Sequence, residues 1–353
     1  MVRVVVAEDS LTLRELLVEL LRSDPEIEVV GEAKTGAEAV ELAARLRPDL
    51  IAMDIHMPVM DGLEATKEVM VRAQTPIVLI TSSTSREDAR LSLDALRAGA
   101  LMVIPKPDNP ASPAFDGRRE HLLSMVKAMA QVKVVRQWQR HLARRPPVPR
   151  PPRRRPATQL IAMAASTGGP VSLQHILTSL PADCEIPIVI VQHIAEGFVA
   201  PLASWLNESC NLRVKVAEDG EPLAPRTVYL APDRFHLGAT SGGQAELSAA
   251  PPIGGHRPSA THLFSSAARS YGPRLTAVIL TGMGRDGVDG LRQVKTAGGW
   301  VVAQDEASSV VYGMPGEAVR EALVDVVLPL DEIGPYLATL IESRTRADPN
   351  PRS

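Results

Sequence analysis

The chain has 353 residues, 45% of them hydrophobic, and a formal net charge of -3. At about 150 residues per domain this predicts two domains, each large enough to bury a core. The near-neutral balance and an aromatic content of only 3% argue against nucleic acid as the main partner and leave few stacking surfaces for bases or sugars.

Residues 2–9 read as a buried strand that runs from Val4-Val5-Val6 into the paired acids Glu8-Asp9. Ser10 offers an N-cap for a helix whose leucines repeat at Leu13, Leu16, Leu17, Leu20 and Leu21. Strands follow at 28–33, 50–55, 77–82 and 101–105, with helices near 36–47, 61–73, 86–98 and 118–140. Such alternation predicts a doubly wound parallel sheet with its ligands at the carboxyl ends of the strands. Those ends carry Glu8, Asp9, Asp54, Thr81 and Lys106. Three carboxylates beside one lysine suit a Mg²⁺ ion and an aspartate, Asp54, that accepts a phosphoryl group. Lys106 supplies a point charge for the phosphoryl oxygens, and Thr81 a hydroxyl. Asp61 is an N-cap for the helix that follows.

Residues 141–157 form an Arg/Pro-rich linker, HLARRPPVPRPPRRRPA, expected to be extended and semi-rigid. Its other reading is a basic strip that docks an acidic surface. The domains are then 1–140 and 158–345, with a disordered tail at 346–353.

The second domain alternates strands at 160–165, 187–192, 275–280, 300–303 and 325–329 with helices near 170–180, 198–210, 258–270, 286–297, 315–323 and 331–343. The stretch 212–250 reads as a hairpin-rich insert beside the sheet. Ser166 follows the apolar strand LIAMAA and precedes Thr167-Gly168-Gly169-Pro170, so its hydroxyl lies near a helix N-terminus, where backbone donors favour an oxyanion. It is a nucleophile, or only an N-cap, or part of a phosphate-binding turn. His193 ends the next strand, on the same sheet edge, and is the first choice of base; His256, in the glycine loop GGHRPS, is its rival. Asp286 reaches that edge from TGMGRDG and either orients the base or caps the helix that follows. Met283 offers its backbone N–H rather than its side chain.

Residues 2–106 resemble the receiver domains of bacterial response regulators, through Glu8-Asp9, the block MDIHMPVMDG, Thr81 and Pro105-Lys106-Pro107. Residues 160–343 resemble the catalytic domain of the chemotaxis protein-glutamate methylesterases, the CheB family, through AASTGGP, VQHI, YLAP, GHRPS, TGMGRDG and AQDEASSVVYGMP. The resemblance implies a flavodoxin-like receiver and a Rossmann-like α/β methylesterase domain with a β-rich insert. It implies hydrolysis of glutamate γ-methyl esters on methyl-accepting chemoreceptors and deamidation of receptor glutamines, by a Ser166–His193–Asp286 triad with Thr167 and the Met283 amide beside it. A histidine kinase would phosphorylate Asp54, with Mg²⁺ in the receiver, and so release a receiver-imposed block; the esterase step needs no cofactor. The alternative is a phospho-switched regulator whose second domain binds or scaffolds without catalysis. The chain departs from the family pattern at Ala164, where glycine is common, at Thr261, where aspartate is, and at Thr81, where serine is. The first is expected to crowd the turn and the second to lose a local hydrogen bond or alter the substrate groove; the third is a conservative hydroxyl change.

No apolar run approaches the roughly 18–20 residues that span a bilayer. Met1-Val2-Arg3-Val4 lacks a signal-peptide layout, and Cys184 and Cys210 lack metal-ligand spacing. A reduced, cytoplasmic setting without membrane insertion is the expectation.

Overall fold

A computed structural model describes residues 1–81, 86–107, 115–132 and 157–347. The chain divides into two compact units, Met1–Arg144 and Arg145–Ser353. The linker expected at 141–157 lies outside the described residues apart from Ala157, as does most of the tail expected at 346–353.

The first unit alternates β1 (Val2–Ala7), α1 (Leu11–Arg22), β2 (Ile27–Ala33), α2 (Gly36–Leu46), β3 (Leu50–Asp54), α3 (Gly62–Arg72), β4 (Ile77–Thr81), α4 (Arg86–Ala98), β5 (Met102–Pro105) and α5 (Phe115–Met129). The sheet order is β2-β1-β3-β4-β5, parallel throughout. Strands β3 and β4 are buried along their whole length, which is why they read as unbroken apolar runs rather than as alternating patterns. Helix starts are fixed by side-chain caps: Ser10, Thr35 and Asp61 accept from Leu13, Glu38 and Glu64 amides. Strand order reverses at β1, so the crevice between the carboxyl ends of β1 and β3 is the expected ligand position.

The second unit contains β6 (Leu160–Ala165), α6 (Gly169–Thr178), β7 (Ile188–Gln192), α7 (Val199–Ser209), β8 (Arg213–Val216), β9 (Thr227–Leu230), β10 (His236–Ala239), β11 (Ala245–Ser248), α8 (Ala260–Tyr271), β12 (Leu275–Ile279), α9 (Val288–Thr296), β13 (Trp300–Gln304), α10 (Met314–Arg320), β14 (Val326–Leu328) and α11 (Leu330–Ala347). Seven strands form one parallel sheet in the order β14-β13-β12-β6-β7-β9-β8. The stretch expected as a hairpin-rich insert splits in two. Strands β8 and β9 extend the main sheet in parallel, and only β10 and β11 pair as an antiparallel hairpin. The physical reason is burial: Thr227–Leu230 is covered on both faces, as an internal parallel strand must be. Strand order reverses between β6 and β12, and Ser166, His193 and the 281–287 loop all leave the sheet around that point. No helix among the described residues is long and apolar enough to cross a membrane.

Candidate functional site

In the first unit, β1 and β3 deliver Glu8, Asp9 and Asp54 so that one carboxylate oxygen from each lies within 4.8 Å of the others. Glu8 and Asp54 are buried and Asp9 is exposed. Lys106, whose backbone amide donates a hydrogen bond to the Thr81 carbonyl (2.8 Å) after β5, sends its ammonium to Glu8 and Asp54. Its Nζ is 2.8 Å from Asp54 Oδ2 and 2.7 Å from Glu8 Oε2. Burial pushes the Glu8 carboxyl above its usual range and the charge of Asp54 adds to this; Lys106 and the Ser10 amide offset them only in part. Burial pulls Lys106 down, but its bonds to Asp54 and Glu8 outweigh that and leave it raised. Thr81 is buried at the end of β4, in register with Pro105. The turn after Asp54 closes through the Gly62 amide on the Ile55 carbonyl (2.9 Å), and a Cβ at Gly62 would collide with the Asp54 carbonyl oxygen. Three converging acids against one ammonium are a donor set that fits a hard divalent cation.

One supporting group here was not singled out from sequence. Arg14, on the buried side of α1, donates to the Glu8 carbonyl at 2.8 Å and so holds the acid-bearing loop from behind. An arginine within a leucine face was the available signal.

In the second unit, β6 ends in a turn that presents Ser166. The Ser166 amide donates to the Thr281 carbonyl (3.0 Å), and the Ser166 carbonyl accepts from the Gly169 amide (2.8 Å). The N-cap of α6 is Gly168, with φ 76°, so Ser166 stands two residues ahead of the cap and does not fill that role. A methyl on Gly282 would lie 2.8 Å from Ser166 Cβ, so the 281–287 loop runs directly against the serine. Met283 is the next residue in that loop. Thr167 is buried, and its carbonyl accepts from the Thr281 hydroxyl at 2.9 Å.

The His193 amide donates to the Ala165 carbonyl (2.9 Å), which puts the imidazole on the same edge as Ser166. His193 Nε2 is 3.0 Å from Asp286 Oδ2. Its Nδ1 is buried and makes no hydrogen bond to any described residue, Ser166 included. The structure therefore brings His193 to Asp286 and shows no hydrogen bond between His193 and Ser166. His256, the rival in sequence, stacks its ring on that of His193, with centroids 4.3 Å apart and planes 10° apart.

Asp286 is surrounded by donors. Oδ1 accepts from the Ser259 hydroxyl (2.8 Å) and the Thr261 and Gly287 amides, and Oδ2 from the Ala260 amide (2.7 Å). Burial pushes its carboxyl up, but the adjacent His193 imidazole, the Ala260 amide and the Ser259 hydroxyl together hold it well below the usual carboxylate range. Asp286 does not cap the helix that follows it, since the N-cap of α9 is Gly287. It sits instead at the N-terminus of α8, where the helix dipole favours a carboxylate.

Two of the departures noted in the sequence now have contacts. Thr261 does not leave a gap: its hydroxyl accepts from the Gly287 amide at 2.9 Å. Ala164 is fully buried within β6, opposite Ile279 and Val191, where its methyl joins the sheet's core. Sequence reasoning missed Gln192 and Gln304. Gln192, buried at the end of β7, donates to both the Ser166 and His193 carbonyls at 2.8 Å. Gln304, at the end of β13, accepts from the Thr281 amide at 2.9 Å and donates to the Ser308 carbonyl. A polar residue closing an otherwise apolar strand was the signal in both cases.

Residues 161–337 match the CheB methylesterase family model, and residues 4–112 match that of the response regulator receiver domain. The chain is 53% identical over 342 residues, 96% of each chain, to protein-glutamate methylesterase/protein-glutamine glutaminase 4 of Myxococcus xanthus. It is 40% identical over 354 residues, all of each chain, to the protein-glutamate methylesterase/protein-glutamine glutaminase of the group 3 operon of Rhizobium meliloti. The crystal structure of the Thermotoga maritima CheB methylesterase catalytic domain is 41% identical, covers 53% of this chain and 100% of that one, and superposes with a TM-score of 0.50.

Proposed function

Since this chain belongs to the CheB methylesterase family and carries a response regulator receiver domain ahead of the hydrolase domain, we propose that it is a phosphorylation-activated protein-glutamate methylesterase and protein-glutamine glutaminase. Its substrates are γ-methyl esters, and certain glutamines, on methyl-accepting chemotaxis receptors, and its phosphodonor is a chemotaxis-type histidine kinase. The proposed domains are residues 1–140 and 158–345, and the protein works in the cytoplasm.

The observation that carries the catalytic reading is the His193–Asp286 contact at 3.0 Å on the sheet edge that bears Ser166. Asp286 stays ionised because four donors hold it. With Nε2 facing Asp286, the reading assigns Nδ1 the Ser166 proton. Oγ then attacks the ester carbonyl as His193 takes the proton, and the oxyanion is met by the Met283 amide and by donors near Thr167 and the start of α6. His193 returns the proton to the leaving methanol, or to ammonia when a glutamine is the substrate. A water deprotonated by His193 cleaves the acyl-enzyme, freeing glutamate and Ser166.

In the receiver, Glu8, Asp9 and Asp54 would hold a Mg²⁺ ion, which when bound neutralises charge between the attacking carboxylate and the phosphoryl group. Asp54 is the acceptor. Lys106 pairs with the phosphoryl oxygens in place of its present contact with Asp54, and the Thr81 hydroxyl donates to them.

Methanol release from a methylated chemoreceptor fragment, with and without a small phosphodonor and Mg²⁺, tests this reading. Release that rises with phosphodonor and vanishes in Ser166→Ala is expected. No release under any condition, with Asp54 demonstrably phosphorylated, would move the second domain to a binding or scaffold role.

A further inference from the structure

His193 is held unevenly. Its backbone is tied to β6 and its Nε2 approaches Asp286, yet that 3.0 Å approach does not meet the alignment of a hydrogen bond. A contact of that kind fixes where the nitrogen lies and leaves the tilt of the ring open. The flat face of His256 lies over the ring, with centroids 4.3 Å apart and within 10° of parallel.

The segment that carries His256 is built to present it. Ile253 and His256 exchange backbone hydrogen bonds at 3.1 and 3.0 Å around Gly254 and Gly255. These two glycines have φ of 57° and 86°, and a Cβ on either would meet nothing within 4 Å. Their requirement is conformational: a tight turn with two left-handed residues in succession. The Arg257 guanidinium anchors the outer side on the Ala249 and Ala250 carbonyls. Two residues further on, Ser259 donates to Asp286 and caps α8, whose first amides also bind Asp286. One short segment, 253–261, thus touches the base on its ring face and the orienting acid on both oxygens. His193 and His256 also share the wall of a cleft of about 210 Å³ with Glu196, Asp233, Arg234 and Arg257.

We propose that His256 is a positioning residue for the acyl-transfer reaction: its ring face sets the plane of the His193 imidazole so that Nδ1 meets the Ser166 hydroxyl. This rests on the Ser166–His193–Asp286 reading. The role belongs to the ring face, not to the His256 nitrogens. A stacked aromatic face also favours the imidazolium that forms when His193 takes the serine proton.

The test uses the full-length chain, phosphodonor and a methylated chemoreceptor fragment. His256→Phe keeps a flat face and has no ring nitrogen; His256→Asn keeps a polar amide and has no ring. The Phe variant is expected to stay within about threefold of wild-type kcat, and the Asn variant to fall about tenfold with KM within about twofold, as loss of an aromatic pair implies. His256→Tyr replaces Phe if the Phe variant does not give a wild-type circular dichroism spectrum. The proton NMR signal of the His193 ring N–H should persist in the Phe variant and broaden in the Asn variant. Equal kcat in the two variants, or a better Asn variant, overturns the proposal. Ser166→Ala and His193→Ala are assayed alongside: activity in either sinks the triad itself, whereas two inactive controls with the reversed Phe/Asn ranking sink only the role of His256.

Discussion

The two units use the same device to opposite ends. Each is a doubly wound parallel sheet with charged or polar residues at the strand ends where the order reverses. In the first, Glu8 and Asp54 share a single ammonium, Asp9 lies beside them, and the buried Glu8 carboxyl is pushed up. In the second, one buried carboxylate, Asp286, takes hydrogen bonds from four donors and is held far down. The first site is under-neutralised and gains from a cation and a phosphoryl group; the second is already organised around the charge it must keep. A site that has to change state keeps unmet electrostatic demand, and a site that has to repeat one reaction meets that demand in advance.

The largest expected effects lie in the pre-organised site. Ser166→Ala should lower methanol release by a thousandfold or more, on the order seen when a nucleophile is removed. Asp286→Asn should cost on the order of 10³–10⁴ in kcat. The asparagine amide would turn a donor toward the Ala260 amide or toward His193, where only an acceptor fits. If it retained more than a tenth of wild-type activity, the claim that pre-organisation around this charge drives the second site would fail.

The same contrast should appear against pH. A carboxyl depressed in the folded state contributes stability that is present above the unfolded carboxylate range and is lost only as pH falls through the folded value. For Asp286 that loss lies below the ordinary carboxylate range. Any acid loss of esterase activity at or above the ordinary carboxylate range should therefore not report Asp286, an expectation checked by kcat/KM profiles of wild type and Asp286→Asn between about pH 4.5 and 8. In the first unit, Asp54→Asn should leave basal methanol release within about twofold and abolish its rise with phosphodonor, since amide nitrogen cannot take the phosphoryl group in an acyl phosphate. A phosphodonor response that survived would move the acceptor away from Asp54.

Much of this was legible in sequence because parallel sheets bury whole strands. The runs before Asp54 and Ser166 are unbroken and apolar, and the run before His193 is broken only by Gln192 at its end. The fold class, the three-residue acid cluster and the sheet edge that carries Ser166 and His193 follow from that. What sequence hid were contacts made across long stretches of chain. Asp286 read as the acid that orients the base or else as a cap for its own helix; the bonds its carboxylate takes from the start of α8, 26 residues earlier, were not visible. The pairing of β8 and β9 with the main sheet was likewise invisible, because four-residue strands carry too little periodicity to separate a hairpin from a parallel edge. Gln192 lies next to His193 in sequence, but its importance depends on a carbonyl 26 positions away.

A smaller effect sharpens the comparison from the stability side. Ser259→Ala removes one of four donors to Asp286 and the cap of α8. Three amides remain, so kcat should fall less than about tenfold, while loss of the cap should cost about 1 kcal/mol of stability. Glu8→Gln should do the reverse in the first unit. Because the Glu8 carboxyl is raised in the folded state, its ionised form opposes folding at neutral pH, and the wild type gains stability as pH falls through that raised value. Replacing it with a neutral amide removes one anion from a cluster of three and leaves Lys106 paired with Asp54 at 2.8 Å. The variant should melt a few degrees above wild type at neutral pH, a shift of about 1 kcal/mol or less. That advantage should shrink as the pH falls from neutral into the acid range, and the same variant should lose Mg²⁺-dependent phosphorylation. Thermal melts at both pH values, with and without Mg²⁺, measure this directly. A variant less stable than wild type at neutral pH would mean that the Glu8–Lys106 ion pair outweighs the crowding of acids, and the first site would then be as satisfied at rest as the second.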